Sequence, residues 1–122
     1  MNIVALTGNL TADPQIRVTN SGVTVATFAI AVNEGYGDKE KTSFPSIVVW
    51  GKSADFCGNY LHKGSKVNIK GRLQTRSYDN KDGQKVYVTE VVADMYGGVE
   101  ALDKKGAAAS QSNPIDDEEI PF

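Results

Sequence analysis

The chain has 122 residues, 13 of them Lys or Arg and 15 Asp or Glu, for a formal net charge of −2. That length suits one compact domain, and 40% hydrophobic with 23% charged residues is ordinary for a globular fold. One cysteine, Cys57, excludes an internal disulfide, and one histidine, His62, leaves no ligand set for zinc. No segment approaches the roughly 20 apolar residues that span a membrane, and no basic stretch followed by an apolar run opens the chain as a secretory signal would. The expected setting is therefore a reducing cytoplasm, with no metal, cofactor or membrane partner, and the Asn9-Leu10-Thr11 glycosylation sequon carries no weight there.

In chain order, the first predicted strand runs from Asn2 to Leu10 through Ile3-Val4-Ala5-Leu6. A second, Val23 to Asn33, alternates with Ala26, Phe28, Ile30 and Val32 on one face. Asn33 to Ser43, with two glycines and five charged residues, reads as a long hairpin loop. Phe44 to Trp50 is a third strand. A single helix follows: Ser53 can cap it, Ala54, Cys57 and Leu61 share a face widened by Phe56 and Tyr60, and Gly64 can end it in the left-handed conformation. Lys66 to Tyr78 is a fourth strand and Lys85 to Met95 a fifth, joined by the turn residues Asp79-Asn80-Lys81-Asp82-Gly83. Five strands with one helix between the third and fourth give an all-β class and the pattern of an OB-fold, a five-stranded Greek-key barrel.

The charge is unevenly spread. Residues 1–105 hold all 13 bases and 11 of the acids, net +2, whereas residues 106–122 hold four acids and no base. The junction, Gly106-Ala-Ala-Ala-Ser-Gln-Ser-Asn-Pro114, is too small and polar to repay its ordering. Residues 1–105 are therefore expected to be the folded domain, and 106–122 a short flexible linker and disordered acidic tail.

Catalytic signals fail on inspection. Gly51-Lys52-Ser53 imitates the end of a phosphate-binding loop, but Ser46 stands where its first glycine belongs. Asp79 and Asp82 lie in a turn, and turn chemistry accounts for them. His62 falls in the predicted helix's last turn, where a cation is favoured, and Cys57 falls on its apolar face, where packing accounts for it. Neither a carboxylate cluster nor an activated nucleophile is evident, so no enzyme is expected.

The fourth strand is the informative one. Lys66, Asn68, Lys70, Arg72, Gln74, Arg76 and Tyr78 share one parity, and Val67, Ile69, Gly71, Leu73, Thr75 and Ser77 the other. A period of two sends the first set outward and the second to the core. The outward row holds four bases, no acid and a terminal ring. In the third strand, period alone leaves open which face is inside; if Ile47 and Val49 are core, Phe44 and Trp50 are displayed. Tyr36, between Gly35 and Gly37, adds a ring in the loop beside Lys39 and Lys41, and Lys85 and Tyr87 add another pair. Rings interleaved with Lys and Arg suit single-stranded nucleic acid, whose phosphates meet the cations and whose bases stack at roughly 1–3 kcal/mol each. Nothing here selects a 2′-hydroxyl, so the choice of DNA over RNA is not readable from these residues. An OB-fold adaptor whose aromatic face binds protein is the alternative.

Six segments, in order, resemble the bacterial-type single-stranded DNA-binding proteins, the homotetrameric OB-fold family, phage- and plasmid-borne members included. Asn2-Ile-Val-Ala-Leu-Thr-Gly-Asn-Leu-Thr-Ala-Asp-Pro14 is similar to the family's opening strand, and Val25-Ala-Thr-Phe-Ala-Ile-Ala-Val32 to its second. Ile47-Val-Val-Trp-Gly-Lys52, Tyr60-Leu-His-Lys-Gly-Ser-Lys-Val67 and Gly71-Arg-Leu-Gln-Thr-Arg76 resemble the middle segments, and Asp116-Asp-Glu-Glu-Ile-Pro-Phe122 the acidic terminal peptide. The resemblance implies stacking by Tyr36, Phe44, Trp50 and Tyr78, and backbone contacts from Lys52, Lys70, Arg72 and Arg76. It implies a homotetramer that protects single-stranded DNA in replication, recombination and repair, in the cytoplasm at the nucleoid or replication sites. It further implies that Asp116, Asp117, Glu118, Glu119, Ile120, Pro121 and Phe122 recruit replication and repair enzymes. A terminal ring with a free carboxylate suits a pocket with an apolar floor and a basic rim. The linker is shorter than the long Gly-, Gln- or Pro-rich segment common in the family.

Overall fold

The computed structural model describes residues 1–102, so the predicted boundary at 105 and the linker and tail expected over 106–122 lie outside the described residues. The strands are β1 Val4–Leu10, β2 Gln15–Val18, β3 Thr24–Glu34, β4 Lys41–Ser43, β5 Ser46–Trp50, β6 Lys66–Asp79, β7 Lys85–Ala93 and β8 Val99–Ala101, with helix α1 at Lys52–Tyr60. Five of them close a ring in the order β1-β3-β5-β7-β6 and back to β1, with α1 between β5 and β6. This is the OB barrel expected from the strand and helix order.

The alternation that identified the strands also fills the barrel. Leu10, Ala26, Phe28, Ile30, Ile47, Val49, Val67, Ile69, Val91 and Ala93 point inward and are buried, and α1 closes one end with Ala54 and Cys57. Leu61 joins this core one residue past the helix.

Several expected details differ. The helix N-cap is Gly51, not Ser53: the helix already begins at Lys52, which puts Ser53 inside its first turn, where its hydroxyl donates to the Met95 carbonyl at 2.8 Å. The helix ends at Tyr60 with Leu61 extended, so His62 lies beyond it, and Gly64, with φ of +92°, serves the turn that follows instead of the helix end. The stretch expected as a loop over 33–43 is largely paired: β3 continues to Glu34 and β4 returns against it, Val32 opposite Ser43 and Glu34 opposite Lys41, around a 3₁₀ turn at Gly37–Lys39. Phe44 precedes β5 instead of opening it, and β7 stops at Ala93, two residues short of the expected end.

Two short strands, β2 and β8, were not expected. β2 pairs with β3 through Gln15 opposite Thr27 and Arg17 opposite Val25, and β8 pairs with β6 through Ile69 opposite Val99. Only the first half of β6 keeps the inward parity. Val67, Ile69 and Gly71 are buried, whereas Leu73, Thr75 and Ser77 are exposed, because β6 and β7 run on past the barrel as a two-stranded arm.

The transition falls at Gly71, which faces both Val4 of β1 and Ala93 of β7. A Cβ there would lie 2.0 Å from the Val92 carbonyl oxygen, a backbone atom that cannot swing aside. Gly71→Ala should therefore destabilise the fold at the upper end of the roughly 1–3 kcal/mol typical of overpacking. A lowered urea midpoint with an unchanged slope would register it.

Candidate nucleic-acid interface

Strand register decides which side chains share the outer face. Trp50 lies opposite Val25, and Val25 opposite Arg17. Val48 lies between Thr27 and Val92, and Val92 opposite Arg72. Along the arm, Gln74 faces Glu90, Arg76 faces Val88 and Tyr78 faces Val86. Cross-strand partners project to the same side of a sheet. Arg17, Trp50, Arg72, Gln74, Arg76 and Tyr78 thus stand on one continuous face, floored by the buried trio Val25, Val48 and Val92. A groove of about 380 Å³ lies in it, walled by Arg17, Trp50, Gln74, Arg76 and Glu90.

Trp50 is 41% exposed, while its strand neighbours Ile47 and Val49 are fully buried. The open parity of that strand is thereby resolved with the ring displayed. Tyr78 and Phe44 are also exposed, and Tyr36 is 87% exposed. Tyr36 and Phe44 belong to the β3–β4 arm, a protrusion separate from the β6–β7 arm that carries Tyr78. Tyr87 faces Ser77 and so takes the reverse side of its arm, together with Leu73.

The cations are not all free. Arg76 Nε donates to Glu90 Oε2 at 2.9 Å, and Glu90 is 4% exposed. A carboxylate so deeply buried needs a partner to offset its desolvation, and Gln74 adds a longer contact at 3.5 Å. Lys70 reaches Asp94 at 3.8 Å, but both groups are well exposed, and such a pair contributes little. The fourth predicted strand carries no acid of its own; the acids that answer it come from β7 and the residue after it. Lys52 opens α1, two residues past Trp50.

Arg17 and Glu90 are groove residues that sequence reasoning did not single out, and Gln74 stands in the outward row of the fourth strand as expected. For Arg17 a signal existed: Thr19-Asn-Ser-Gly22 is a turn cluster between two apolar-alternating runs, and Gly22 N–H donates to the Thr19 carbonyl at 2.9 Å. No local pattern marks Glu90, whose partner is 14 residues away in the chain.

Burial pushes the Cys57 thiol up to about 12. Among the described residues no three His, Cys, Asp or Glu side chains cluster to hold a metal ion, and no helix is long and apolar enough to cross a membrane.

A closed five-stranded barrel with rings and cations across its sheet places the chain in the OB-fold class that presents an aromatic and basic outer face. The sequence model of the single-strand binding protein family matches residues 1–99, and the chain belongs to that family. It is similar to the single-stranded DNA-binding protein of Halalkalibacterium halodurans, 42% identical over 95% of this chain and 69% of that one. Single-stranded DNA-binding protein 3 of Listeria innocua is 48% identical, over 93% of this chain and 72% of the relative. Single-stranded DNA-binding protein 2 of Staphylococcus aureus is 42% identical, over 100% and 96%. Among solved structures, a Plasmodium falciparum SSB complex with ssDNA superposes with a TM-score of 0.77 at 33% identity, covering 84% of this chain and 96% of that one.

The environment of Cys57 makes a direct prediction. With the thiol raised to about 12, only about one molecule in ten thousand is thiolate at pH 8. A thiol reagent should leave the native protein unlabelled at that pH and label it fully in denaturant, as mass spectrometry would report. Rapid native labelling would mean that the end of the barrel under α1 opens.

Proposed function

We propose that the protein binds single-stranded DNA without reading its sequence and protects it during replication, recombination and repair. The observation that carries this reading is the outer face on which Trp50 and Tyr78 stand among Arg17, Arg72 and Arg76. Unpaired bases offer faces to the rings, and the phosphates between them meet the cations. Duplex DNA hides those base faces, so the same surface discriminates against it. Tyr36 and Phe44 extend the stacking surface along the second arm, and Lys52 and Lys70 extend the phosphate contacts. The activity is non-catalytic, and its place is the cytoplasm, at the nucleoid or replication sites.

Two further parts belong to this proposal. Copies associate into a homotetramer; the exposed Leu73 and Tyr87 on the reverse side of the β6–β7 arm supply apolar surface for such a contact while leaving the Trp50 face open. Sedimentation reads the assembly directly. Residues Asp116 to Phe122 recruit replication and repair enzymes: the acids steer the segment toward a basic rim, and the Phe122 ring enters an apolar pocket beside it.

Titration of Trp50 fluorescence with oligo-dT tests the binding reading. Trp50→Ala and Tyr78→Ala should each weaken affinity by about 1–3 kcal/mol with circular dichroism unchanged, and wild-type affinity should fall as salt rises. Duplex competing equally per nucleotide, or a protein partner binding while oligo-dT does not, would favour the adaptor alternative.

A separate variant addresses the tail. Phe122→Ala should abolish capture of partner enzymes and leave oligo-dT affinity nearly unchanged. Loss of DNA affinity in that variant would assign the tip to the binding face instead.

A further inference from the structure

β7 and β8 pair with successive parts of β6 along one edge, and between them the chain leaves the ladder. Gly71 faces Ala93 and Ile69 faces Val99, so a regular ladder would set one residue opposite Lys70. The five residues from Asp94 to Gly98 stand there instead. Both backbone groups of Lys70 pin the excursion: Asp94 N–H donates to the Lys70 carbonyl, and Lys70 N–H to the Gly98 carbonyl, each at 2.9 Å. The Ser53 hydroxyl adds a tie to the Met95 carbonyl at 2.8 Å. The neck is tight, since a Cβ on Gly98 would lie 2.3 Å from the Asp94 carbonyl oxygen. Extra residues inserted into a ladder re-aim the side chains they carry. Here they lift Met95 and Tyr96 off the barrel, and Tyr96 is 89% exposed.

The β5–β7 pairing decides where that ring stands. The two strands run parallel with Val48 opposite Val92, so both end at the same rim of the barrel. Trp50-Gly51-Lys52 leaves from one strand and Asp94-Met95-Tyr96 from its neighbour. Lys52 and Tyr96 line a common groove, with Phe56 and Met95 as its apolar wall. The acids near it are Asp94, which Lys70 answers at 3.8 Å, and Asp55 in the first turn of α1.

We propose that Tyr96 is a further stacking ring for single-stranded DNA, taking a base beyond Trp50 while Lys52 meets the phosphate between them. The proposal rests on the single-strand reading above and extends its path from the Trp50 groove around the rim. Three features support it together: a ring held out by an anchored excursion, a lysine in the same groove, and direct continuity with the Trp50 face through Gly51.

Two measurements on the full-length protein test it. Tyr96→Ala should lose at least about fivefold in affinity for a long oligo-dT and little for a short one that the Trp50 face alone can hold. In a Trp50→Phe/Tyr96→Trp variant, the tryptophan at position 96 should be quenched by long oligo-dT, while anisotropy of a labelled strand tracks binding in the same sample. Binding without quenching, or equal affinity of Tyr96→Ala at every length, would overturn the proposal. So would a changed sedimentation coefficient in Tyr96→Ala, which would assign the ring to contact between copies, or quenching by a peptide of residues 114–122 in place of DNA. Failure of the wild-type protein to bind oligo-dT at all would overturn the single-strand reading along with it.

Discussion

β6 has to satisfy two sets of partners, and the barrel closes only because it does. Its first half pairs with β1 on one side and β8 on the other; its second half pairs with β7 alone and leaves the barrel as an arm. The change of partner is concentrated at Gly71, where the neighbouring backbone comes too close for any side chain. The β6–β7 arm inherits its position from that change of partner. The arm that carries Arg76 and Tyr78 is a continuation of a wall strand, so its outer side is one surface with Trp50 on β5.

That surface carries an apparent contradiction, a buried acid on a face suited to a polyanion. The geometry resolves it. Glu90 sits beneath Arg76 and Gln74 and accepts from both, so the side exposed to solvent is the cation. A charge-assisted hydrogen bond of this kind fixes direction as well as energy. The exposed Lys70–Asp94 pair, at 3.8 Å, has no such rigidity.

The barrel was legible because its strands announce themselves by alternation: Ala26, Phe28 and Ile30 in one wall, Val67 and Ile69 in another. What stayed hidden was structure whose cause lies outside its own segment. β2 is four residues long with every one exposed; the turn cluster after it is a weak local mark, and its ladder with β3 makes it a strand. β4 follows a glycine- and charge-rich stretch that reads as loop until β3 is seen to extend and receive it. The outward row of β6 was readable from parity, but its pairing with Glu90 joins two strands and leaves no mark in either. Ser53 looked like a cap because caps are local, and its actual partner, Met95, is 42 residues away. The parity of Trp50 was undecidable in isolation, since both sides of β5 are apolar, one packing into the barrel and the other into the small outer trio with Val25 and Val92.

The parallel seam between β5 and β7 has a mechanical meaning. It is held by two registered pairs, Ile47 with Val91 and Val48 with Val92, and α1 and all of β6 intervene between its strands in the chain. Loop closure over that separation must be met before the seam can form, an entropic cost that the hairpin-joined pairs do not carry. Trp50 lies on one side of it and Arg76 on the other. A nucleic-acid strand that touched both residues would bridge the joint, and its binding energy would add to the barrel's resistance to unfolding. Binding there and closure of the ring would be two linked equilibria, each favouring the other.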